Sequence, residues 1–558
     1  MGQYAVAAAQ GIAICGISAA VSRGIMESAF RRAIANVTQH GDTDIFPFPI
    51  ENRILFDQET NIIAILNSID SDFENYIVKT PPENFGALAP VGYTGFRWAT
   101  QIDPIWNVYF LAVVISIAAK IEAVRLDTAY VHSYRFNSAE DSADLFDRKF
   151  GWHSFTSRAI ELAEKYKFVV SCDISEFYPR LNHHRLDNAL RQLPNADSYR
   201  YKIMHFLSNY SGTYSFGLPV GGPAARTLAE LTLNQIDRLV HQKQIPFCRF
   251  ADDFYLFADS ESEAFKCLVF LSDILHRNQG LQLQKSKTRI MSSAEFIATN
   301  PISIANTNIS PPGDLASARQ SLFKLSLYYD PYSANAEEHY ERLREEIGKF
   351  PILDIIRSEL SKSRVDISLA RRIISALQFM EGEGLNDAAR TLADNHQLLY
   401  PVYYNVMSAL KSVFSRLSLD TQNYIIGLVR SLIEIGSSTV SVDINLQYAI
   451  RLLSETRAEE TVSLLSRIFD TTRNLAIRRD IILVMAKWNE WIWLSDKRSQ
   501  FRIMQPAERR AFIIGSYALK DEGKHWREHT KAEFSPFEIV TRDWISERIG
   551  RAGWELPI

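Results

Sequence analysis

Two adjacent carboxylates, Asp252-Asp253, stand between two short aromatic-rich runs, Pro246-Phe247-Cys248-Arg249 with Phe250 and Phe254-Tyr255-Leu256-Phe257. Aromatic residues favour pleated strands, and an acidic pair suits the tight connection between them. The segment predicts a hairpin with two carboxylates at its tip. Such a pair repels itself unless a cation neutralises it. Hard divalent cations take oxygen ligands and leave room for substrate phosphates. The hairpin therefore reads as a metal-binding device for phosphoryl chemistry. An isolated Asp-Asp is equally well read as a polar turn, so the surrounding segments decide.

Upstream, Phe168-Val169-Val170-Ser171-Cys172-Asp173 reads as a buried strand with Asp173 at its C-terminal end, continuing into Ile174-Ser175-Glu176-Phe177-Tyr178. Between the acidic segments, Gly217-Leu218-Pro219-Val220-Gly221-Gly222-Pro223 is a turn-rich loop feeding a helix that begins near Ala224. Downstream, Leu281-Gln282-Leu283-Gln284-Lys285-Ser286-Lys287-Thr288 reads as a lysine-bearing strand. Strand-Asp, glycine loop with helix, Asp-Asp hairpin and lysine strand follow the order of a nucleic-acid polymerase palm. Nucleotide addition needs two Mg²⁺ ions, about 3.5–4 Å apart, held by carboxylates from different strands. Asp173 and Asp252 fill that role, with Asp253 in support. Gly217, Gly221 and Gly222 let backbone approach a base pair or primer closely. Lys287 is placed to protonate or neutralise the leaving pyrophosphate. Arg226 and Glu230, four residues apart on the predicted helix, are expected to pair. His183 and His184 are expected on a helix surface, and Glu176 in a structural role.

Over roughly residues 90 to 295 the chain resembles reverse transcriptases, most closely the bacterial defence-associated and abortive-infection group. Phe250-Ala251-Asp252-Asp253 is similar to the family's Tyr-x-Asp-Asp box. Asp173-Ile174-Ser175-Glu176-Phe177-Tyr178 is similar to its first carboxylate motif, and Gly217–Pro223 to its Leu-Pro-Gln-Gly-Ser-Pro loop. Leu283–Thr288 is similar to its Leu-Asn-x-x-Lys-Thr. Val220 stands where the family has glutamine and Gly222 where it has serine. That departure points toward the abortive-infection subgroup and away from ordinary templated copying.

The resemblance implies a DNA polymerase acting in antiphage defence. It implies a main-chain carbonyl of Ile174 as a further metal ligand and an aromatic, Tyr178, stacked under the deoxyribose to exclude a 2′-hydroxyl. A basic residue upstream would hold the incoming triphosphate: Arg135, with Arg97 and Arg125 as rivals. Gly221 and Gly222 would border the substrate. The partners expected are dNTPs and a DNA product, either attached to a hydroxyl of the protein and made without a template, or copied from an RNA. A catalytically silent scaffold is the reading from another class, and the intact Asp173, Asp252 and Asp253 count against it.

The fold class expected is α+β, with reverse-transcriptase fingers and palm followed by an all-α, HEAT-like helical-repeat domain. The 558 residues allow two to four domains. We expect an N-terminal helical and loop-rich extension over 1–90, fingers and palm over 91–298, and helical repeats over 315–558. Prolines at Phe46-Pro47-Phe48-Pro49 and Thr80-Pro81-Pro82 make residues 40–90 loop-rich. Apolar spacing predicts a helix from Trp106 to Arg125, and Val131–Phe136 reads as a fingers strand. Beyond Leu315 short amphipathic helices succeed one another, each unable to bury its face alone. A net charge of −4 excludes wholesale coating of phosphates, although local basic clusters remain. Cys15, Cys172, Cys248 and Cys267 fit no zinc spacing and read as thiols in a reducing cytosol. Residues 5–22 are uncharged and read as a buried or intersubunit helix rather than a signal or a membrane span. The chain is expected in the cytoplasm, as a homo-oligomer, with no membrane.

Overall fold

The structure, a computed structural model, describes residues 24–139, 142–299, 318–319, 321–322 and 336–558. The uncharged segment 5–22, Cys15 and the proline-rich boundary at 301–314 lie outside the described residues. The described chain divides into two compact units. The first is built from residues 24–44, 51–84 and 100–299, the second from 45–50, 85–99 and the described residues from 318 onward. The boundary expected at residue 90 is therefore not where the chain divides. The helices before it belong with the polymerase-like unit, and 85–99 belongs with the helical one.

The first unit opens with helices α1 (24–40), α2 (Ile50–Asp57), α3 (Glu59–Ser71) and α4 (Phe73–Lys79). The expectation of a loop-rich 40–90 is corrected here. The prolines punctuate at 47, 49 and 81–82, while Ile62, Ile63, Ile65, Leu66 and Ile69 bury one side of α3. Next in the chain, strands β1 (Asn84–Pro90) and β2 (Phe96–Ile102) form a two-stranded sheet, most of whose residues belong to the second unit. Helix α5 (Pro104–Val124) follows, capped by the Asp103 side chain accepting from the Ile105 amide. Among the described residues α5 alone is long and apolar enough to cross a membrane. It is the core helix of this unit, buried along most of its length.

Next come α6 (Trp152–Ala163), β3 (Phe168–Asp173), the single turn α7 (Phe177–Arg180), α8 (His183–Arg191), α9 (Asp197–Ser211) and α10 (Pro223–Gln242). Then follow β4 (Phe247–Phe250), β5 (Asp253–Ala258), α11 (Glu261–Gln279), β6 (Arg289–Ser292) and α12 (Ser293–Thr299). The palm sheet runs β4-β5-β3-β6, all antiparallel. Successive strand residues point to opposite faces, and on the central strands β3 and β5 both faces are largely covered. Val169, Cys248 and Phe257 pack with Phe155, Ala159 and Leu162 of α6 and Phe296 of α12, while α11 lies on β3 and β5.

Two expected strands are not strands. Val131–Phe136 makes only isolated bridges, Val131 to Arg249 and Phe136 to Phe146, because Tyr134 turns into the left-handed region at φ +47°. Around Lys287 the chain is a turn, its amide and that of Thr288 both donating to the Gln284 carbonyl at 3.0 Å.

One buried cation ties this unit together. Arg249 on β4 is fully buried and reaches α10 twice, donating to Asp237 at 2.7 Å and to Glu230 at 2.9 Å. Arg125 adds a second cation to Glu230 at 2.6 Å, and the Ser133 hydroxyl donates to it. Burial pushes the Glu230 carboxyl up, but Arg249 and Arg125 outweigh it and hold the group below its usual range. Replacing the guanidinium by Arg249→Met strands the buried Asp237 and leaves Glu230 with Arg125 as its remaining cation, so we expect a loss of about 3–5 kcal/mol. Urea unfolding followed by tryptophan fluorescence measures it, and a change under about 1 kcal/mol would show that the network is dispensable.

In the second unit the helices Ile367–Ala376, Tyr403–Val413, Asp443–Leu453, Leu475–Lys487, Pro506–Gly515 and Pro536–Arg548 form a row, each packed on the next in the series, with other helices between them in sequence. The early segments are bound into this unit by name. Tyr448 donates to the Ile45 carbonyl, Arg451 to that of Phe48 at 2.7 Å, and Tyr93 to that of Leu398 at 2.7 Å. Asp480 is buried and accepts from Arg451 at 2.6 Å and Arg479 at 3.0 Å. Burial alone would raise it; the two arginines instead bring it down to about 2. A carboxyl depressed in the folded state contributes stability that is complete above its unfolded value near 3.8 and is lost as pH falls toward 2. We expect Asp480→Asn to lower stability at pH 7 and to flatten the fall in melting temperature between pH 4 and 2, read by calorimetry.

Candidate active site

Strand β3 ends on Asp173, a buried carboxylate that stands opposite Asp253 in the register with β5. Phe250 pairs with Asp253 across the next ladder, so Ala251 and Asp252 alone make the turn. Asp253 was expected in that turn; it is instead the first residue of β5. Ala251 adopts φ +52°, and its carbonyl accepts from Arg249 at 2.8 Å. The Ile174 amide donates to the Asp252 carbonyl at 3.1 Å, which laces the two carboxylate-bearing ends together.

The electrostatics are those of a site built for cations. Burial first, then repulsion from Asp173, pushes the Asp252 carboxyl up to about 6. Burial, then Asp252 and Asp173, pushes Asp253 up to about 7. The Lys287 ammonium donates to Asp173 Oδ2 at 2.7 Å while its side chain stays 63% exposed. Burial pulls this lysine down, but the Asp173 hydrogen bond and the charges of Asp173, Asp253 and Asp252 together outweigh it and hold the ammonium above its usual range. Among the described residues no group of three or more His, Cys, Asp or Glu side chains is gathered tightly enough to hold a metal unaided. Two carboxylates completed by main-chain and phosphate oxygens suit a small hard cation, which keeps part of its shell from substrate and water. The residues present therefore fit a divalent metal site at Asp173 and Asp252, with the Ile174 main chain alongside.

The glycine loop is anchored at its start and crowded at its end. Gly217, at φ +99°, donates to the Leu181 carbonyl, and Leu218 donates to that of Tyr178 at 2.9 Å. His183 is buried and its Nε2 lies 2.8 Å from the Gly217 carbonyl, so the expectation of a surface residue is corrected; His184 is exposed. At Gly221, φ is +113°, and a Cβ would stand 2.8 Å from the Thr43 hydroxyl and 3.2 Å from Asp44 Oδ1. The chain's own segment 42–44 thus lies against the loop, a contact that nothing in the sequence spacing signals. Gly222 caps α10, with Pro223 in its first turn.

Tyr178 follows the left-handed residue Glu176 and meets the Phe177 ring at a tilt of 53°, with ring centroids 5.0 Å apart. Burial raises its hydroxyl well above the ordinary range, and the Asp252 charge is close enough to add to that. Arg135 is not available for a triphosphate. It is buried and donates to the Val131 and Leu126 carbonyls and to Glu122 at 2.8 Å. Arg125 is likewise committed, to Glu122, Glu230 and the carbonyls of Ser133 and Tyr134. Arg97 is an exposed residue of the helical unit. The expected Arg226–Glu230 pair does not form. Glu230 turns inward to Arg249, and Arg226 lies over the Tyr134 ring and 3.4 Å from Asp44.

Carboxylates on facing strand ends, a lysine on one of them and a glycine loop leading into the supporting helix define the palm of a nucleotidyltransferase. Residues 116–310 match the family model described as reverse transcriptase (RNA-dependent DNA polymerase). That domain makes the protein an enzyme of the RNA-directed DNA polymerase class. Similar solved structures include telomerase from Candida albicans in complex with a fragment of telomeric RNA, at 11% identity, covering 75% of this chain and 67% of that one with a TM-score of 0.30. Apo telomerase from Candida tropicalis is similar at 11% identity, covering 75% and 72% with a TM-score of 0.29. No curated protein matches the chain.

Gly221→Ala places a side chain in the left-handed region and against Thr43, so we expect about 1–3 kcal/mol of lost stability and a marked loss of nucleotide incorporation. Gly222→Ala meets only an ordinary contact at 3.5 Å and should be milder in both. Equal behaviour of the two variants in melting and incorporation assays would remove the segment 42–44 contact from the account.

Proposed function

We propose that this protein is a DNA polymerase of the reverse-transcriptase type that acts in antiphage defence. It adds dNTPs without a template, priming from a hydroxyl of the protein itself. The polymerase reading rests on the convergence of Asp173, Asp252, Asp253 and Lys287 at one end of the palm sheet. When bound, two Mg²⁺ ions would lower the pKa of the attacking hydroxyl and offset charge on the pyrophosphate. Asp173, Asp252 and the Ile174 carbonyl would hold them, and Asp253 keeps the local field negative. Lys287 supplies a proton or positive charge to the leaving group. Tyr178 lies under the sugar and selects against a 2′-hydroxyl. The row of helices in the second unit reads as a HEAT-like solenoid.

Untemplated synthesis is supported by the loop. Val220 offers no hydrogen bond to a nascent pair, and beside it segment 42–44 sits where Gly221 lacks a side chain. RNA-templated synthesis is the second reading, and the description of the matching family model favours it. The buried thiols Cys172 and Cys248 suit a reducing cytosol.

Purified, nuclease-treated protein incubated with dNTPs and Mg²⁺ alone should make DNA whose mobility shifts on protease digestion. Asp252→Asn, folded by circular dichroism, should lose incorporation by about a thousandfold or more, because several kcal/mol of charge stabilisation depends on that carboxylate. Near wild-type incorporation by Asp252→Asn would overturn the metal assignment. Strict dependence on added RNA, with complementary product and no protease-sensitive shift, would establish the templated reading.

A further inference from the structure

Segment 42–44 is tied to the helix behind the glycine loop by one ion pair. Arg226, on α10, donates to Asp44 Oδ2 at 3.4 Å, a loose contact between a partly buried guanidinium and an exposed carboxylate. Such a pair contributes little to stability, and a stronger anion can replace the carboxylate. The segment and the loop are not packed shut against each other. They touch at Gly221, while a cleft lined by Asp42, Thr43, Pro219, Val220 and Gly222 runs between them.

The guanidinium rests on a strained support. Its carbon lies 5.3 Å from the centroid of the Tyr134 ring, and that ring meets Phe250, the last residue of β4, at 5.6 Å. Tyr134 is held at φ +47°, a conformation in which a bulky residue is a genuine outlier. The chain around it is clamped. The His132 amide donates to the Arg249 carbonyl at 2.9 Å, and Arg125 donates to the Tyr134 carbonyl at 3.0 Å. Strain of that kind persists only where the surroundings over-determine it, and it gathers at ligand clamps and active sites. Two ring contacts thus link Arg226 to the strand end beside Asp252. Arg135, Arg125 and Arg249 spend their donors on carbonyls and carboxylates. Among the described residues Arg226 commits a single nitrogen, to Asp44.

We infer that the triphosphate of the incoming nucleotide displaces Asp44 from Arg226, so that this arginine of α10, and not a residue of the upstream segment, is the cation that receives it. The inference rests on the polymerase reading above and is independent of template and primer. A planar guanidinium offers paired donors to phosphate oxygens, and charge-assisted bonds of that kind are roughly twice as strong as neutral ones. A triphosphate carries more charge than one carboxylate, so it competes for a partner that Asp44 holds only at 3.4 Å. Before the nucleotide arrives, Asp44 is the placeholder that keeps the guanidinium over the Tyr134 ring.

The test uses the full chain with Mg²⁺ and measures kcat and KM for dATP in wild type, Arg226→Gln, Arg226→Lys, Asp44→Asn and the double variant of Arg226→Gln with Asp44→Asn. Inorganic tripolyphosphate is the second probe, read as a competitive inhibitor and by the rise it gives in melting temperature, which needs no turnover. Arg226→Gln should raise KM and the tripolyphosphate inhibition constant by about ten- to a hundredfold, the scale of a charged hydrogen bond, with kcat changed less. Arg226→Lys should recover part of the loss. Asp44→Asn should lower both constants by about two- to fivefold, the scale of an exposed ion pair. It should change neither in the Arg226→Gln background, because Asp44 acts through Arg226 alone. Should one single variant fold poorly, the other still decides. A purely structural pair would lower the melting temperature in both and leave KM and tripolyphosphate binding alone, and that result overturns the inference. A raised KM in Asp44→Asn overturns it as well. If wild type incorporates no dATP while tripolyphosphate still stabilises it through Arg226, the phosphate site stands and the proposed activity fails.

Discussion

The palm hangs on the guanidinium of Arg249. It is fully buried, and it holds α10 through Glu230 and Asp237 while donating to the carbonyl of Ala251 in the turn that carries Asp252. One side chain thus fixes both the helix under the hairpin and the hairpin tip itself. Buried ion pairs of this kind are weak contributors to net stability, because desolvation offsets much of their attraction. Their value here is geometric. Two carboxylates that repel each other must be held at fixed places before any cation arrives, and a charged network with two partners on one helix tolerates little displacement.

The same network explains where the sequence was readable. Asp173, Asp252, Asp253 and Lys287 lie in short motifs whose residue types follow from the chemistry, and the structure brings them together. The core helix 104–124 was equally legible, from its unbroken apolar run. What could not be read was partnership. Glu230 sits four residues after Arg226, a spacing that favours a helical pair, yet the charges face different directions because α10 is buried on Glu230's side and half-open on Arg226's. Arg135 looked like a free cation in a fingers strand; its three committed donors show that a buried arginine is spent on carbonyls and Glu122.

Local prolines misled in another way. Pro47, Pro49, Pro81 and Pro82 signal loops correctly, but they bracket helices α2–α4, whose apolar spacing outweighs them. Tyr134 carries a left-handed backbone that no propensity scale assigns to tyrosine, and it breaks what alternation alone presents as a strand. These failures cluster around the active site, where geometry imposed by distant partners overrides local preference.

The helical unit has a temporal consequence. It incorporates residues 45–50 and 85–99, and Ile45 and Phe48 are held by Tyr448 and Arg451, each bond closing across 403 residues of chain. A ribosome adding about 5–20 residues per second delivers those partners roughly 20–80 s after the early segment has emerged. Through that interval Phe46-Pro47-Phe48 and the edges of the β1–β2 hairpin wait without their mates. Docking of these early segments is therefore a late step of folding, timed by the appearance of Tyr448 and Arg451 and not by the early residues' own preferences.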